Sequence, residues 1–361
     1  MTATSFPLPP GSTIGIIGGG QLGRMLALAA ARLGFDVAIL DPQADAPAVR
    51  VAAHVIAAAY DNPEALAALS SLCQVITYEF ENVPAGSVAQ LMALGAQTAP
   101  NKLALATAQD RVAEKTFLNA AGVPTVAFAA ADTAQDVSQA ARTLGVPLLL
   151  KTRRGGYDGK GQMWLESPAD ADAAFVSLGG QSLIAEAPAN FTREVSAICA
   201  RGRSGEIALY PLSENHHRDG ILRRSSAPAV VSARTQAEAE RIAACVLSAL
   251  DYVGVLGIEM FELADGQLLV NEFAPRVHNT GHWTLDGCQV DQFEQHIRAV
   301  AGWPLGPTQA LAHVEMENLL GDDANSWARL AADPEARLWL YGKTDAKPGR
   351  KMGHVNRLRP L

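Results

Sequence analysis

Apolar and polar positions follow one pattern in the first hundred residues of the chain. Short apolar runs at 13–17, 37–40 and 74–78 are separated by alanine- and leucine-rich stretches such as 21–33. Strands that alternate with helical stretches in this way are typical of parallel βαβ units. The pattern therefore predicts a small, doubly wound, Rossmann-like domain over residues 1–100.

The pattern changes after residue 100. A helical stretch over 102–121, interrupted near Gln109, leads into a compact α+β segment, and longer apolar runs typical of antiparallel strands follow it. We expect strands at 147–151, 162–165, 194–201, 206–211, 255–262, 267–273, 313–317 and 338–341, and helices near 170–178 and 233–250. These elements predict two further units, over 101–185 and 186–361.

Composition narrows the classes of protein that fit. Hydrophobic residues make up 48 % of the chain and charged residues 18 %, a balance typical of soluble globular proteins. The net charge of −8 disfavours general nucleic-acid binding, which needs a basic surface. No apolar run reaches the roughly 18 residues of a membrane span, and the N-terminus lacks the features of a signal peptide. The four cysteines are widely spaced, so we expect a cytoplasmic protein without a disulfide framework or zinc site.

A glycine cluster follows the first predicted strand. Residues 18–23, Gly-Gly-Gly-Gln-Leu-Gly, satisfy the G-x-G-x-x-G pattern, and Asp41 ends the next strand. This spacing is found in dinucleotide-binding domains. Glycines at a strand-to-helix turn also bind other anions through backbone N–H groups, or serve only the geometry of the turn. The pattern leaves these three interpretations open.

A second glycine-rich segment, residues 152–161, lies between two predicted strands, and we call it the flap. It contains four glycines together with Tyr157, Asp158 and Lys160, and Lys151 ends the preceding strand. Loops of this composition close over the phosphates of nucleotides. A solvated basic hairpin tip is the alternative interpretation.

Two predicted strands near the C-terminal third carry acidic residues. Glu259 lies in one strand, and Asn271 and Glu272 lie in the next. Two antiparallel strands can direct both carboxylates at one point, and hard oxygen ligands of this kind suit Mg2+. Exposed strand ends are the alternative, but the proline-braced Arg276 that follows favours a site.

Three weaker signals remain. The segment 186–189 followed by Glu194 can offer backbone groups to an adenine ring and a carboxylate to ribose, although a surface strand fits equally well. His216 and His217 taken alone indicate only a loop. The basic residues Lys343, Arg350, Lys351 and His354 form either a charged tail or an ordered phosphate-binding loop.

These motifs in this order resemble the ATP-grasp superfamily, and within it the N5-carboxyaminoimidazole ribonucleotide synthetase family. The resemblance covers nearly the whole chain. The segments that carry it are 18–25, 77–81, 156–162, 271–284 and 349–354. Thr280 stands where a serine is common in the family. The resemblance implies an ATP-grasp fold with a small α+β lid domain and a large C-terminal antiparallel sheet.

The resemblance also implies an ATP site between the second and third units, in which Glu259 and Glu272 would hold Mg2+ as two ions. Arg111 and Lys151 would meet the phosphates, and Glu194 the ribose. The full set of implied ATP-binding residues is Arg111, Lys151, Gly156, Tyr157, Asp158, Gly159, Lys160, Gly161, Gln162, Glu186, Ala187, Pro188, Ala189, Glu194, His217, Asn271 and Glu272.

The implied reaction joins bicarbonate to the exocyclic amine of 5-aminoimidazole ribonucleotide through carboxyphosphate, and the implied assembly is a homodimer. The implied ribonucleotide-binding residues are Gly20, Gln21, Leu22, Glu79, Tyr157, Asp158, His278, Lys343 and Arg350. The implied catalytic residues are Asp158, Lys160, Arg276, His278 and Asn279. This assignment moves the glycine cluster from a dinucleotide to a mononucleotide substrate.

Three alternatives remain at this point. Another ATP-grasp ligase, such as the formate-dependent transformylase that acts on glycinamide ribonucleotide, would share the glycine turn and the two metal-binding glutamates. An NAD-dependent oxidoreductase would use the glycine cluster but leaves the pair Glu259 and Glu272 unexplained. A catalytically silent nucleotide-binding regulator would not need the complete set of lysine, glutamates and flap.

Overall fold

The computed structural model describes residues 4–156 and 159–361 and begins with a parallel sheet of four strands in the order β3-β2-β1-β4. Its elements are β1 (Thr13–Ile17), α1 (Gln21–Arg32), β2 (Asp36–Asp41), β3 (His54–Ala57), α2 (Pro63–Leu72), β4 (Val75–Tyr78) and α3 (Ala85–Ala93). Ile14 and Ile16 pack with α1 on one face, and Ile17 packs with α2 on the other. The doubly wound, Rossmann-like arrangement predicted for this region is confirmed.

The second region contains, among its described residues, four helices and a small antiparallel sheet. Its elements are α4 (Lys102–Ala108), α5 (Arg111–Ala120), β5 (Phe128–Ala131), α6 (Ala134–Leu144), β6 (Leu148–Thr152), β7 (Gln162–Leu165), α7 (Ala171–Ser177) and β8 (Leu183–Glu186). The sheet has the order β5-β8-β6-β7. The predicted interruption near Gln109 is confirmed, because the Asp110 side chain accepts hydrogen bonds from the N–H groups of Val112 and Ala113 and starts a new helix.

The third region is built on a large antiparallel sheet. Its elements are β9 (Phe191–Arg201), β10 (Ile207–Leu209), β11 (Ser213–Arg218), β12 (Ile221–Ala227), α8 (Ala233–Ala249), β13 (Gly254–Leu263), β14 (Leu268–Ala274), α9 (Thr284–Gly287), α10 (Gln292–Ala301), β15 (His313–Leu320), α11 (Trp327–Ala331), β16 (Ala336–Leu340) and β17 (Lys351–Arg359). Among the described residues the strand order is β14-β13-β9-β11-β12-β15-β17-β16, with β10 paired to β9. Helix α8 packs its apolar side on β9, β13 and β14.

Two expectations for the third region are wrong. His216 and His217 lie in β11, which is paired with β9 and β12 in the middle of the sheet, rather than in a loop. His354 lies in β17, fully buried, rather than in a basic loop. The boundaries at residues 100 and 185 stay predictions, and β8 ends at Glu186. No helix in the described part of the chain is long and apolar enough to cross a membrane.

Candidate active site

The glycine turn between β1 and α1 already holds a carboxylate. Glu79, just after β4, accepts hydrogen bonds from the N–H groups of Gly20 and, at 2.5 Å, Gly23. A Cβ atom added at Gly20 would lie 2.6 Å from the Glu79 carboxylate, so this close approach requires glycine. Burial raises the pKa of Glu79, and the two N–H groups lower it. Gln21 and Leu22 form the first turn of α1 beside this carboxylate.

The Asp41 carboxylate also accepts hydrogen bonds within the N-terminal domain. They come from Gly19 N–H at 2.7 Å and from the Tyr60 hydroxyl at 2.8 Å. In a dinucleotide site the turn amides would meet a pyrophosphate and the acid a ribose. Because Glu79 and Asp41 take these positions, the turn is unsuited to a dinucleotide.

Helix α5 joins the flap to strand β14 through Arg111. Its guanidinium donates one hydrogen bond to Glu272 at 2.6 Å and another to the carbonyl oxygen of Gly156 at 3.0 Å. Burial opposes the charge of Glu272, but the neighbouring Arg111 lowers the pKa of Glu272 to about 2. The Glu272 side chain keeps 38 % of its surface accessible, so a ligand can reach its carboxylate.

Two more residues of the same helix face bind the main chain of β14. Lys115 donates to the carbonyl oxygen of Asn271 at 2.9 Å, and Glu114 accepts from Phe273 N–H at 2.7 Å. These contacts lie on either side of Glu272 and fix the strand that carries it. Sequence reasoning missed Glu114 and Lys115. Charged residues at i, i+3 and i+4 from Arg111 were a signal that this helix presents a polar face.

Glu186 connects the helix to the small sheet. Lys151 contacts one carboxylate oxygen of Glu186 at 2.7 Å, and Lys115 contacts the other at 3.3 Å. Burial raises the pKa of Glu186, but the two lysines outweigh it and lower the pKa. The Ala187 N–H donates a hydrogen bond to the carbonyl oxygen of Ala127. Pro188 and Ala189 continue into the connection to β9. Lys151 is thus held on a buried strand with its charge paired to Glu186.

Glu194, His217 and Glu259 come together from three adjoining strands. Each residue offers one nitrogen or oxygen atom as a ligand, and these atoms lie within 4.8 Å of one another. Among the described residues, these three side chains therefore form a group that could hold a metal ion. His217 Nδ1 lies 2.7 Å from Glu194, and this contact raises the pKa of His217 against the effect of burial. Glu259 also contacts His278 Nε2 at 3.0 Å, which lowers the pKa of Glu259 against burial.

The two glutamates predicted to bind the metal have different partners in the structure. Glu259 and Glu272 are direct partners in the β13–β14 ladder, so both side chains leave the same face of the sheet. Glu272 binds Arg111, however, and is not part of the group formed by Glu194, His217 and Glu259. The Asn271 side-chain oxygen is buried and has no hydrogen-bond partner in the described part of the chain. These oxygens fit a hard cation such as Mg2+.

Arg276, His278 and Asn279 follow β14 on one short segment. Arg276 forms an ion pair with Glu81, which lies two residues beyond Glu79. His278 contacts Thr280 Oγ1 at 2.8 Å through Nδ1, in addition to its contact with Glu259. The segment therefore lies between the acidic strands and the glycine turn.

The described part of the flap is held at both ends. Thr152 N–H donates to the Gly161 carbonyl oxygen at 2.8 Å. A Cβ atom at Gly159 would lie 3.1 Å from Gly220, in the β11–β12 turn. Lys160 precedes Gly161, and Gln162 is the first residue of β7. Tyr157 and Asp158 lie outside the described residues.

The C-terminal basic segment is an ordered loop between β16 and β17. Lys343 Nζ donates to the Lys351 carbonyl oxygen at 2.7 Å, and Arg350 donates to the Asp345 carbonyl oxygen at 3.0 Å. A Cβ atom at Gly342 would lie 3.5 Å from the guanidinium of Arg50, so the loop approaches the N-terminal domain. His354 is not part of this basic group, because burial lowers its pKa to about 3 and leaves it neutral.

Family models match three consecutive parts of the chain. They are the ribonucleotide synthetase preATP-grasp domain over residues 12–109, the ATP-grasp domain over 116–293 and the phosphoribosylaminoimidazole carboxylase C-terminal domain over 315–360. The fold is therefore that of an ATP-grasp enzyme.

Similarity to individual proteins extends over the full length. The N5-carboxyaminoimidazole ribonucleotide synthase of Brucella melitensis is 53 % identical over 98 % of both chains. A solved N5-carboxyaminoimidazole ribonucleotide synthetase in its ADP complex has a TM-score of 0.94 at 41 % identity and covers 99 % of this chain and 94 % of that one. The Aspergillus clavatus enzyme, solved with ADP and 5-aminoimidazole ribonucleotide, has a TM-score of 0.90 at 31 % identity, covering 97 % and 94 %. The chain belongs to the N5-carboxyaminoimidazole ribonucleotide synthetase family.

The environment of Glu114 predicts a pH dependence of stability. Burial and the charge of Glu272 raise its pKa to about 8, above the usual value of about 4.3 in an unfolded chain. The protonated form is thus favoured by folding, so this contribution is present below about pH 4.3 and is lost as the pH rises through 8. In the wild type, the free energy of unfolding measured by urea denaturation should fall between pH 5.5 and 8.5. In Glu114→Gln this fall should be smaller. Glu240→Gln, on the exposed side of α8, is the control, and equal pH slopes for wild type and Glu114→Gln would contradict the assignment.

Proposed function

We propose that the protein is an ATP-dependent C–N ligase that carboxylates 5-aminoimidazole ribonucleotide with bicarbonate. The product is N5-carboxyaminoimidazole ribonucleotide, an intermediate of de novo purine biosynthesis. Similarity to N5-carboxyaminoimidazole ribonucleotide synthases over 98 % of the chain is the observation that supports this function most directly. We also propose that the enzyme acts as a homodimer, as the family resemblance implies, and light scattering in solution tests this.

ATP occupies the cleft between the small and large antiparallel sheets in this proposal. Arg111 and Lys151 bind its phosphates, and Glu194 and His217 lie at the ribose. The main chain of residues 186–189 lies along the adenine. The flap, with Gly156, Tyr157, Asp158, Gly159, Lys160, Gly161 and Gln162, covers the phosphates. Both phosphate-binding cations have carboxylate partners in the structure, Glu272 and Glu186, so they are held in place before the nucleotide arrives.

Glu259 and Glu272 would hold Mg2+, as two ions, and Asn271 would add its side-chain oxygen, which has no hydrogen-bond partner among the described residues. When bound, the ions supply charge neutralisation to the phosphates and hold them in line. Arg111 then exchanges the Glu272 carboxylate for phosphate oxygens, which leaves that carboxylate available to the metal. Glu194 and His217 keep their mutual contact on the opposite side of Glu259.

The chemistry has two steps. A bicarbonate oxygen forms a bond to the γ-phosphorus, the bond to the bridging oxygen breaks, and carboxyphosphate and ADP result. The exocyclic amine of the ribonucleotide then forms a C–N bond with the carboxyl carbon as phosphate leaves, and the amine loses one proton. Because carboxyphosphate reacts with water, the flap must exclude solvent while both steps occur.

The ribonucleotide lies against the N-terminal domain. Its ring and ribose meet Gly20, Gln21, Leu22, Glu79, Tyr157, Asp158 and His278, and its phosphate meets Lys343 and Arg350. Asp158 orients the amine or accepts its proton, and Lys160 supports the flap. Arg276, His278 and Asn279 face the carboxyl group that is transferred. Glu79 suits a mononucleotide better than a dinucleotide, since its carboxylate already binds the turn amides.

The alternative functions have weaker support. An NAD-dependent oxidoreductase needs the turn amides that Glu79 occupies. A ligase acting on glycinamide ribonucleotide shares the two acidic strands, but the C-terminal domain matches the phosphoribosylaminoimidazole carboxylase model. A silent regulator would not need the paired cations and carboxylates of the cleft.

A single assay tests the proposed function. ADP release is measured with Mg-ATP and bicarbonate, with and without 5-aminoimidazole ribonucleotide, and the product is followed by mass spectrometry. We expect the ribonucleotide to stimulate ADP release and to gain one carboxyl group. Omission of bicarbonate is the control. Absence of stimulation, with glycinamide ribonucleotide plus formate active instead, would support the other ligase.

Replacement of the metal-binding carboxylate should stop turnover. Glu272→Gln keeps the shape of the side chain but removes the charge that binds Mg2+, so we expect turnover to fall by at least about 100-fold. Steady-state kinetics over a range of Mg2+ concentrations measures this. Glu262→Gln, which removes another buried charge of the same sheet, paired with Arg193, is the matched control. Full turnover in Glu272→Gln would eliminate this residue as a metal ligand.

Replacement of Lys343 should change the KM of one substrate only. Loss of a charge-assisted contact to phosphate costs about 1.5–3 kcal/mol, so Lys343→Ala should raise the KM for the ribonucleotide by about 10- to 100-fold. The KM for ATP should not change. Lys347→Ala, at an exposed lysine of the same loop, is the control. An increase confined to the KM for ATP would contradict the assignment of Lys343 to the ribonucleotide.

A further inference from the structure

The segment that carries Arg276, His278 and Asn279 is largely irregular. Strand β14 ends at Ala274, and only a 3-10 turn, Asn279–Gly281, follows before α9. A strand ladder therefore does not fix the direction of these three side chains. Their directions depend on contacts with residues from other elements.

Arg276 is directed by Glu81. The Glu81 carboxylate binds the Nε end of the Arg276 guanidinium, while Nη1 donates to the carbonyl oxygen of Val277 at 3.1 Å. Burial raises the pKa of Glu81, but Arg276 outweighs it and lowers the pKa, so Glu81 remains ionised. The main chain of Glu81 is fixed in turn by Gln109, whose amide donates to the Glu81 carbonyl oxygen at 2.7 Å. The guanidinium is thus held from the N-terminal domain.

Asn279 is directed by Asn318 of β15. The two side-chain amides bind each other twice, at 3.0 Å from Asn279 to Asn318 and at 2.7 Å in the reverse direction. Asn318 is almost fully buried and also donates to the Leu222 carbonyl oxygen at 3.0 Å. Because that carbonyl oxygen can only accept, it determines which end of the Asn318 amide carries the N–H groups. The orientation of the Asn279 amide follows from it.

The main chain between these two side chains is fixed separately by Gln292. Its side-chain oxygen accepts from His278 N–H at 2.9 Å, and its amide donates to the His278 carbonyl oxygen at 2.7 Å. With the main chain held, Glu81 and Asn318 have one remaining effect, which is to set the directions of the guanidinium and the amide. Neither residue belongs to the ATP-binding or metal-binding set above.

We propose that Glu81 and Asn318 are positioning residues that orient Arg276 and Asn279 for transfer of the carboxyl group to the amine. This inference rests on the proposed function, and specifically on its second step. A misdirected guanidinium or amide should leave ATP and metal binding intact, because the side-chain hydrogen bonds of Arg276 and Asn279 within the described residues go to Glu81, Val277 and Asn318 and not to Glu259 or Glu272. It slows capture of the activated carboxyl group, which water then consumes.

The test separates the two steps in the full-length enzyme. Glu81→Gln and Asn318→Leu are compared with wild type for ADP release, for product formation and for the KM of ATP. We expect product formation to fall by about 10- to 100-fold, the usual effect of removing an outer partner of a site residue. The KM for ATP should remain unchanged, and the ratio of ADP released to product formed should rise above the wild-type value. A merely structural defect would not change that ratio.

Matched controls and a second variant keep the result interpretable. Glu294→Gln removes a buried carboxylate that pairs with Arg32 of the N-terminal domain, and Asn356→Leu removes a buried amide of β17. Both controls should keep the wild-type ratio. If Asn318→Leu does not fold, Asn318→Asp keeps the size of the side chain but replaces the amide donor with a second acceptor oxygen, and it should raise the ratio likewise.

Two different failures can be distinguished. A wild-type enzyme without ribonucleotide-dependent ADP release overturns the proposed function. A wild-type enzyme that carboxylates the ribonucleotide, together with folded Glu81 and Asn318 variants that keep the wild-type ratio, overturns the positioning role alone. An equal rise of the ratio in the two control variants would also overturn it.

Discussion

The contact of one helix face with the end of one strand supports the charged residues that are proposed to bind the nucleotide. Arg111 binds the Glu272 side chain, and Glu114 and Lys115 bind the main chain on either side of it. Lys115 also contacts Glu186 at the end of β8, an inner strand of the small sheet. Because each of these groups is buried or half-buried, removal of one leaves a polar partner without compensation. Helix α5 therefore sets the relative position of the small sheet and the acidic strands.

Much of the framework was predictable from local patterns. The parallel sheet, the interruption near Gln109 and the long antiparallel strands each have a clear signal in the order of apolar residues. The two acidic strands were also predictable, since β13 and β14 are mostly apolar apart from their glutamates. Local rules suffice where a segment's own composition agrees with its final environment. The family resemblance added the assignment of residues to ligands, which patterns alone left open.

The remainder depends on contacts that no local pattern contains. Strand β11, Ser-Glu-Asn-His-His-Arg, has no apolar alternation and forms because both of its edges are paired. Helix α10 looks polar, yet Gln292 and His296 are fully buried through bonds to His278 and Val255. His354 looked like a basic ligand, but its ring lies beside Tyr341 and forms a hydrogen bond with the hydroxyl of that residue. In each case partners distant in sequence overrode the composition of the segment.

The pairing of cations with carboxylates in the cleft has a consequence for how strongly salt affects binding. Arg111, Lys115 and Lys151 lie among Glu114, Glu186 and Glu272, and burial raises the pKa of Glu114 while it lowers the pKa of Lys115. The opposite charges of this group therefore largely cancel. Long-range attraction of a polyanion is weak at such a site, and ionic strength screens little of what remains. A nucleotide that binds at the proposed site would accordingly have to exchange partners at close range, and a polyphosphate that brings its own cation for the carboxylates would gain more than a metal-free one.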